Sequence, residues 1–219
     1  MKRPGVLPAL AGALVFFQSG CATLKLAVAP VPPPPPPPSY FSPATAAEQL
    51  RRVALLPLHS EAYPDQYMRR LDATFHAELT KKALFEVVPV SRAELEAIFG
   101  ERQFSSTGEL PAEALKKLRE QCGVDGVIFT DLTHFSPYRP VSMGVRTKLV
   151  AVSTGQIRWA FDTIFDAGNS SVAEAAKRFQ VASGNERLPL TTDGGSILQS
   201  PTRFAKYVAS ETYASLRQE

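Results

Sequence analysis

The sequence has few of the residues that carry enzyme chemistry. Its 219 residues include only two cysteines and three histidines: Cys21, Cys122, His59, His76 and His134. No Gly-x-Ser-x-Gly, His-Glu-x-x-His or Cys-x-x-Cys motif occurs, and Gly194-Gly195 lacks the following Lys and Ser/Thr of a phosphate-binding loop. We therefore predict that the protein is not an enzyme, with no catalytic residues, no metal site and no cofactor.

The histidines are the only candidates for an alternative enzyme hypothesis. His59 and His134 both follow predicted strands, so they could approach each other, but two histidines without a fixed carboxylate make a poor metal site. His76 is expected on the flank of a helix. Asp125 and Asp131 share one predicted strand, and their spacing does not make a reaction pair. Any activity that the protein had would depend on His59 and His134.

The sequence also lacks an excess of one charge. Lys and Arg number 24, Asp and Glu number 21, and the basic residues form only isolated pairs such as Arg51-Arg52. A nucleic-acid-binding protein needs a basic patch, so we predict no nucleic-acid partner. Cys122 comes just before Gly123 at the end of a helical pattern, and we interpret it as a small buried apolar residue rather than a reactive thiol.

No hydrophobic run is long enough to span a bilayer. The longest, 6–17, has about 12 residues, whereas a transmembrane helix needs about 20. Lys2 and Arg3 precede this run and small residues follow it, which is the layout of a secretory signal peptide over 1–20. The last small residues and the next residue, Ser19-Gly20-Cys21, resemble the lipobox of bacterial lipoproteins, although Gln18 departs from it.

The lipobox resemblance implies an attachment point and a location. In bacterial lipoproteins the cysteine carries a diacylglycerol, so Cys21 is expected to be lipidated and to hold the protein on a membrane. The next residue, Ala22, is not the Asp that retains lipoproteins in the inner membrane. The resemblance therefore implies an outer-membrane lipoprotein that faces the periplasm.

Proline dominates the segment that follows Cys21. Residues 21–48 contain Pro30, the seven consecutive prolines of 32–38, and Pro43. A proline run has a fixed φ and no amide donors, so it adopts the extended polyproline II conformation. We interpret 21–48 as a stiff spacer. A docking peptide for a polyproline-binding module is the alternative, for which the sequence offers no specific flank.

Residues 49–219 carry the regular patterns of one α/β domain. Strands are predicted at 53–58, 85–90, 124–135, 143–153 and 156–166, the last two forming a hairpin around Thr154-Gly155. Helices are predicted at 65–84, 91–99, 111–122 and 171–179, with a final helix that Ser200-Pro201 opens. The predicted fold is a mixed sheet of about five strands flanked by helices, with a C-terminal antiparallel hairpin and a final helix.

Four stretches in this order resemble a known family: "RRVALLPL", "ALFEVVPVSRAELEAIF", "CGVDGVIFTDLTHF" and "KLVAVSTGQIRWAF". They are similar to the periplasmic domain shared by the curli secretion lipoprotein CsgG, the penicillin-binding-protein activator LpoB and lipoproteins of the GNA1162 type. The resemblance covers about 51–166. Its motifs are apolar and turn residues, which specify a fold and supply no site residues.

Two functional hypotheses follow. The first is a lipid-anchored periplasmic scaffold that binds another protein of the cell envelope, as the resemblance to LpoB implies. The second is a component of an outer-membrane secretion assembly, as the resemblance to CsgG implies, which would require a homo-oligomer. Only the hairpin 143–166 is long enough to span a membrane as strands, and it also occupies the position of the domain's core hairpin. We expect the excursion 182–199 and the final helix to form the interaction surface.

Overall fold

The structure is a computed structural model that describes residues 32–35, 38–41, 50–111, 113–183 and 196–216. Its strands are β1 Ser39–Phe41, β2 Arg52–Leu55, β3 Glu86–Pro89, β4 Gly126–Ser136, β5 Ser142–Ala151 and β6 Ile157–Asp166. Its helices are α1 Asp65–Thr80, α2 Arg92–Phe99, α3 Ala114–Cys122, α4 Ser170–Ala182 and α5 Pro201–Thr212. Among these helices none is both long enough and apolar enough to cross a bilayer.

All six strands form one mixed sheet in the order β1-β6-β5-β4-β2-β3. β2 lies parallel to β3 and to β4, whereas β4, β5 and β6 form an antiparallel meander. The predicted α/β class, the five predicted strands, the hairpin and the final helix are confirmed.

The sixth strand, β1, lies within the segment that the sequence assigns to the spacer. Ser39–Phe41 pairs antiparallel with β6, in the register Ser39↔Phe161 and Phe41↔Trp159. Three residues directly after a proline run are too few to show an alternating pattern, so this strand has no recognisable signal in the sequence. The end of the proline-rich segment is therefore held at one edge of the sheet.

The larger core lies between one face of the sheet and helices α1, α4 and α5. Aromatic side chains fill its centre, where Trp159 and Phe165 of β6 meet Tyr213 and Tyr207. The Trp159 indole N–H donates a hydrogen bond to Ser215 Oγ at 3.1 Å. The C-terminal helix is thus a principal part of this core.

The smaller core lies on the other face and covers only part of it. Leu95 of α2 and Leu118 of α3 pack with Val127 and Phe129 of β4. Farther along the sheet, Ile157 is 42% exposed and Ile164 is 61% exposed. We call this uncovered side of β5 and β6, together with the adjoining β1, the open face.

A bulge in β6 decides which residues reach the open face. Strict alternation along this strand predicts Ile157 on the same face as Trp159, and Arg158 on the other face. In the structure Leu149 pairs with Trp159 and Val150 pairs with Ile157, so Arg158 is the additional residue of a bulge. Because Leu149 and Val150 point to opposite faces, Ile157 and Trp159 do too. The predicted facing was therefore wrong for Ile157, and Arg158 is buried.

Helix ends follow the sequence signals with three corrections. Helix α1 ends at Thr80 rather than 84, because Ala83 has a φ of +52°, which an α-helix does not contain. Helix α3 begins at Ala114 rather than 111. Helix α4 is capped by Asn169, whose side chain accepts from the Ser171 N–H at 2.9 Å, and not by Ser171. Ser200 caps α5 as predicted.

One buried guanidinium joins both helical layers. Arg92, the first residue of α2, is 6% exposed and donates to the Leu58 carbonyl at 2.8 Å, to the Asp72 carboxylate of α1 at 3.1 Å and to Gln103 Oε1 at 2.9 Å. Asp72 Oδ1 also accepts from the Leu58 N–H at 2.8 Å. Burial raises the pKa of Asp72, although the Leu58 N–H and Arg92 oppose the rise.

Replacing this guanidinium should destabilise the whole domain. The Arg92→Met variant would leave the Asp72 carboxylate and the Leu58 carbonyl without their partner, so we expect the free energy of unfolding to fall by about 3 kcal/mol. Urea denaturation followed by circular dichroism measures this change. Arg70→Met on the exposed side of α1 is the control, with an expected change within about 0.5 kcal/mol. Equal stability of the two variants would contradict the role of Arg92.

The capping box of α2 should give stability a defined pH dependence. Ser91 Oγ accepts from the Glu94 N–H, and Glu94 Oε2 accepts from the Ser91 N–H at 2.7 Å, which lowers the Glu94 pKa. The stabilisation of the folded state by this carboxylate is fully present above the ordinary carboxyl pKa of about 4.3. It is lost as the pH falls through the lower pKa of the folded protein. We expect Glu94→Ala to cost about 1 kcal/mol at neutral pH.

The same substitution should cost less at pH 3 than at pH 7, because the protonated fraction of Glu94 in the wild-type protein rises as the pH falls towards its lowered pKa. Urea denaturation at both pH values measures the difference, with the exposed Glu101→Ala as the control variant. A cost for Glu94→Ala that does not change with pH would count against the charged capping interaction.

Candidate functional site

The structure places His59 and His134 in separate contacts rather than in one site. His59 Nδ1 lies 3.4 Å from Asp131 Oδ1, and His134 Nε2 lies 2.8 Å from Ser142 Oγ. Within the ranges that the structure describes, no group of three or more His, Cys, Asp or Glu residues could hold a metal ion. Each of these two histidines therefore has a side-chain partner that accounts for its position in the fold.

Asp131 of β4 and Asp125, which precedes β4, accept hydrogen bonds from backbone N–H groups of distant segments. Asp131 is buried and accepts from the Ser106 N–H at 2.9 Å and from Ser106 Oγ at 2.5 Å, which fixes the loop before α3 against the sheet. Asp125 accepts from the Arg51 and Arg52 N–H groups at 3.1 Å each. The sequence pattern gave no signal of these loop contacts, because each joins residues far apart in the chain.

Half of the final helix is used inside the fold. Six residues of α5 are buried, among them Phe204, Tyr207 and Val208, and its role as an interaction surface stays a prediction for the other face. The apolar stripe along α5 faces the larger core. Of the excursion 182–199, residues 184–195 lie outside the described residues, and Ile197 after them is buried and bonded through its N–H to Gln180 Oε1 at 2.7 Å. Cys21 and the leader 1–20 also lie outside the described residues.

The open face combines exposed apolar side chains with a row of charges. Arg146 Nε donates to Asp162 Oδ2 at 2.6 Å across the β5–β6 ladder. Lys148 Nζ lies 5.6 Å from the centre of the Phe129 ring, and burial lowers the Lys148 pKa while Asp131 opposes that shift. Tyr40 and Ile164 expose most of their side chains on either side of this row.

A groove of about 700 Å³ crosses the open face beside β1. Its lining includes Tyr40, Ser106, Thr107, Arg146, Lys148 and Ile157. The lining contains hydroxyls, paired charges and apolar surface, and the Ser106 hydroxyl in it donates to the Asp131 carboxylate.

The domain is therefore an α/β domain with a six-stranded mixed sheet, covered by helices on one face and partly open on the other. No protein family and no curated protein matches it in sequence. Among solved structures, it is similar to a PelC dodecamer from Paraburkholderia phytofirmans, with 12% identity, a TM-score of 0.48 and coverage of 83% of this chain and 96% of that chain.

Two lipoproteins that the sequence motifs suggested are also among the similar structures. Lipoprotein GNA1162 from Neisseria meningitidis has 18% identity, a TM-score of 0.42 and coverage of 64% of this chain and 99% of that chain. LpoB of E. coli has 13% identity, a TM-score of 0.32 and coverage of 75% and 94%. These values are low, and none of the three structures assigns an activity to this chain.

Cys122 should react slowly in the folded protein. It is a free thiol at the end of α3, it packs against the smaller core, and burial raises its pKa. Because the thiolate is the reactive form, we expect a thiol reagent at neutral pH to modify Cys122 about tenfold more slowly than in the urea-unfolded chain. A Cys21→Ala variant leaves Cys122 as the sole thiol.

The matched control for this measurement places a thiol on the exposed side of the same helix. Glu120→Cys in a Cys21→Ala, Cys122→Ala background should be modified at similar rates in the folded and the unfolded chain. Fast modification of folded Cys122 would contradict its interpretation as a buried apolar residue.

Proposed function

We propose that this protein is a lipid-anchored scaffold of the bacterial cell envelope, which binds another envelope protein through the open face. The observation that carries this proposal is the exposure of Ile157, Ile164 and Tyr40 around the groove, on a sheet whose opposite face is covered by helices. The signal-peptide pattern and Cys21 support the anchor, and Ala22 supports the outer membrane as its location.

The composition of the open face fits a protein interface. Protein interfaces combine an apolar centre with a polar rim, and they favour aromatic residues and arginine over lysine and acidic residues. Here Ile157 and Tyr40 lie at the groove, and the paired Arg146 and Asp162 lie beside them. The Arg146–Asp162 pair would lose hydration when a partner covers it, whereas the exposed apolar atoms beside it would gain from being covered.

The described part of the proline-rich segment meets the domain at the groove. Pro38 lines the groove and Ser39 begins β1, so the chain that comes from Cys21 enters the domain at the edge of the open face. Seven prolines in polyproline II span roughly 22 Å at about 3.1 Å per residue. In the proposed arrangement, the spacer separates the lipid anchor from the domain.

A component of a secretion assembly is the alternative. In that case the full lipidated protein, extracted in mild detergent, would be a large closed ring by light scattering. A monomer or a small oligomer supports the scaffold. The face of β5 and β6 that carries Val145, Trp159 and Phe165 packs in the larger core of the domain, so no specific contact in the structure favours the alternative.

Site-specific photo-crosslinking in intact cells tests the proposed surface. A photoreactive residue at position 164 should trap one dominant envelope protein, because Ile164 projects from the open face. Position 181 is the matched control, since Val181 is an exposed aliphatic residue of α4, 53% exposed against 61% for Ile164, and α4 packs on the other face. We expect little or no product from position 181.

The Ile164→Asp variant adds a test of function to the test of proximity. The side chain is exposed, so its substitution should change the free energy of unfolding by no more than about 0.5 kcal/mol. It should nevertheless reduce recovery of the partner about tenfold, whereas Val181→Asp should not. Equal crosslinking from both positions, or a partner retained by Ile164→Asp, would argue against the open face as the interface.

A further inference from the structure

A second concave site lies at the other end of the sheet, beyond the carboxyl ends of β2 and β3. β2 leads into α1 on one face of the sheet, and β3 leads into α2 on the opposite face. Neighbouring parallel strands whose helices depart to opposite faces leave a crevice between the two connections, and α/β proteins commonly bind ligands there. In this chain the crevice has a volume of about 570 Å³.

The walls of the crevice are apolar at the base and basic at the rim. Leu55, Pro57 and Val90 contribute the apolar part, and all three are buried in the fold. Arg69 and His76 contribute to the rim from one face of α1, because they are seven residues and so about two turns apart. Arg102, from the loop after α2, also lines the crevice.

The charges at the rim are not all balanced by the protein itself. Asp72 is the one acidic residue of the lining, and it pairs with Arg92 at 3.1 Å. Arg102 is held by Asp65 at 2.8 Å and by Glu96 at 3.4 Å. Arg69 makes neither an ion pair nor a side-chain hydrogen bond with any residue that the structure describes. Its charge is therefore free to meet a ligand.

The beginning of α2 adds hydrogen-bond donors to the same wall. The Ser91 side chain satisfies the Glu94 N–H, which leaves the N–H groups of Arg92 and Ala93 without a helical carbonyl partner. Both residues line the crevice, at the positive end of the helix dipole. The Arg92 guanidinium itself is held by Leu58, Asp72 and Gln103, and its buried Nε has no hydrogen-bond partner among the described residues.

We propose that this crevice binds the phosphate group of an organic phosphate with an apolar substituent. The phosphate would lie between the Arg69 guanidinium and the first N–H groups of α2, an arrangement that suits a tetrahedral oxyanion. The apolar substituent would cover Leu55, Pro57 and Val90. The site is separated from the open face by β4, so it is independent of the proposed protein contact.

Titration of the mature full-length chain in mild detergent tests the site, with backbone amide chemical shifts as the readout. Butyl phosphate should produce saturable shifts at the amides of Arg92 and Ala93, and inorganic phosphate should produce the same shifts with weaker affinity. The chloride salt should produce neither. Absence of saturable shifts at these two amides, with either phosphate, would overturn the proposal.

Variants of α1 test which arginine binds the phosphate. Arg69→Gln should weaken butyl phosphate binding about tenfold, whereas Arg70→Gln, on the next residue and outside the lining, should leave it unchanged. Ala73→Leu should block the crevice without unfolding the protein, because Ala73 is exposed. Unchanged affinity in Arg69→Gln would exclude the proposed site.

A second experiment distinguishes a lipid head group from a soluble metabolite as the source of the phosphate. Vesicles of phosphatidylglycerol can be compared with vesicles of phosphatidylcholine, whose head group has no net charge. Competition of phosphatidylglycerol vesicles with butyl phosphate, lost in Arg69→Gln, assigns the site to a lipid head group. Binding of butyl phosphate that the vesicles do not affect assigns it to a soluble metabolite.

Discussion

The Arg92 guanidinium is the constraint on which the arrangement of the helices depends. It contacts the connection after β2, the side of α1 and the loop that leads to α3, and it does so from the first residue of α2. Moving a charge out of water costs several kcal/mol, so such a group is tolerated only when its partners are fixed. The same network sets the separation of α1 and α2, and with it the width of the crevice between them.

The two ends of the sheet have different surroundings because their strands are connected differently. At the β2–β3 end, parallel strands require crossover helices, which cover both faces and leave a crevice at the strand ends. At the β5–β6 end, a tight hairpin needs no crossover, so one face stays uncovered. The open face and the crevice are thus consequences of parallel and antiparallel pairing within one sheet.

Prediction from the sequence succeeded for elements that have local signals. It failed where a structural feature depends on a long-range contact. The spacing of Met68, Leu71, Phe75 and Leu79 defined α1, and Ser91 with Glu94 marked the start of α2. Strand β1 was too short for periodicity, and the bulge at Arg158 reversed the facing of Ile157. The sequence indicated neither of the two proposed surfaces, the groove and the crevice, because Tyr40, Arg146 and Arg69 are brought to them only by strand order and helix placement.

The outer edge of β3 limits how copies of this chain can associate. The N–H groups of Glu86 and Val90 donate to the carbonyls of Arg51 and Leu55, on the side of β3 that faces β2. Because backbone groups alternate in direction along a strand, those of Val87 and Pro89 point away from the sheet. Proline has no N–H, and a single outward donor at Val87 cannot sustain a ladder. Even at the high concentrations of a crowded compartment, collisions along this edge should stay transient, and continuous sheets should not grow from it into fibres.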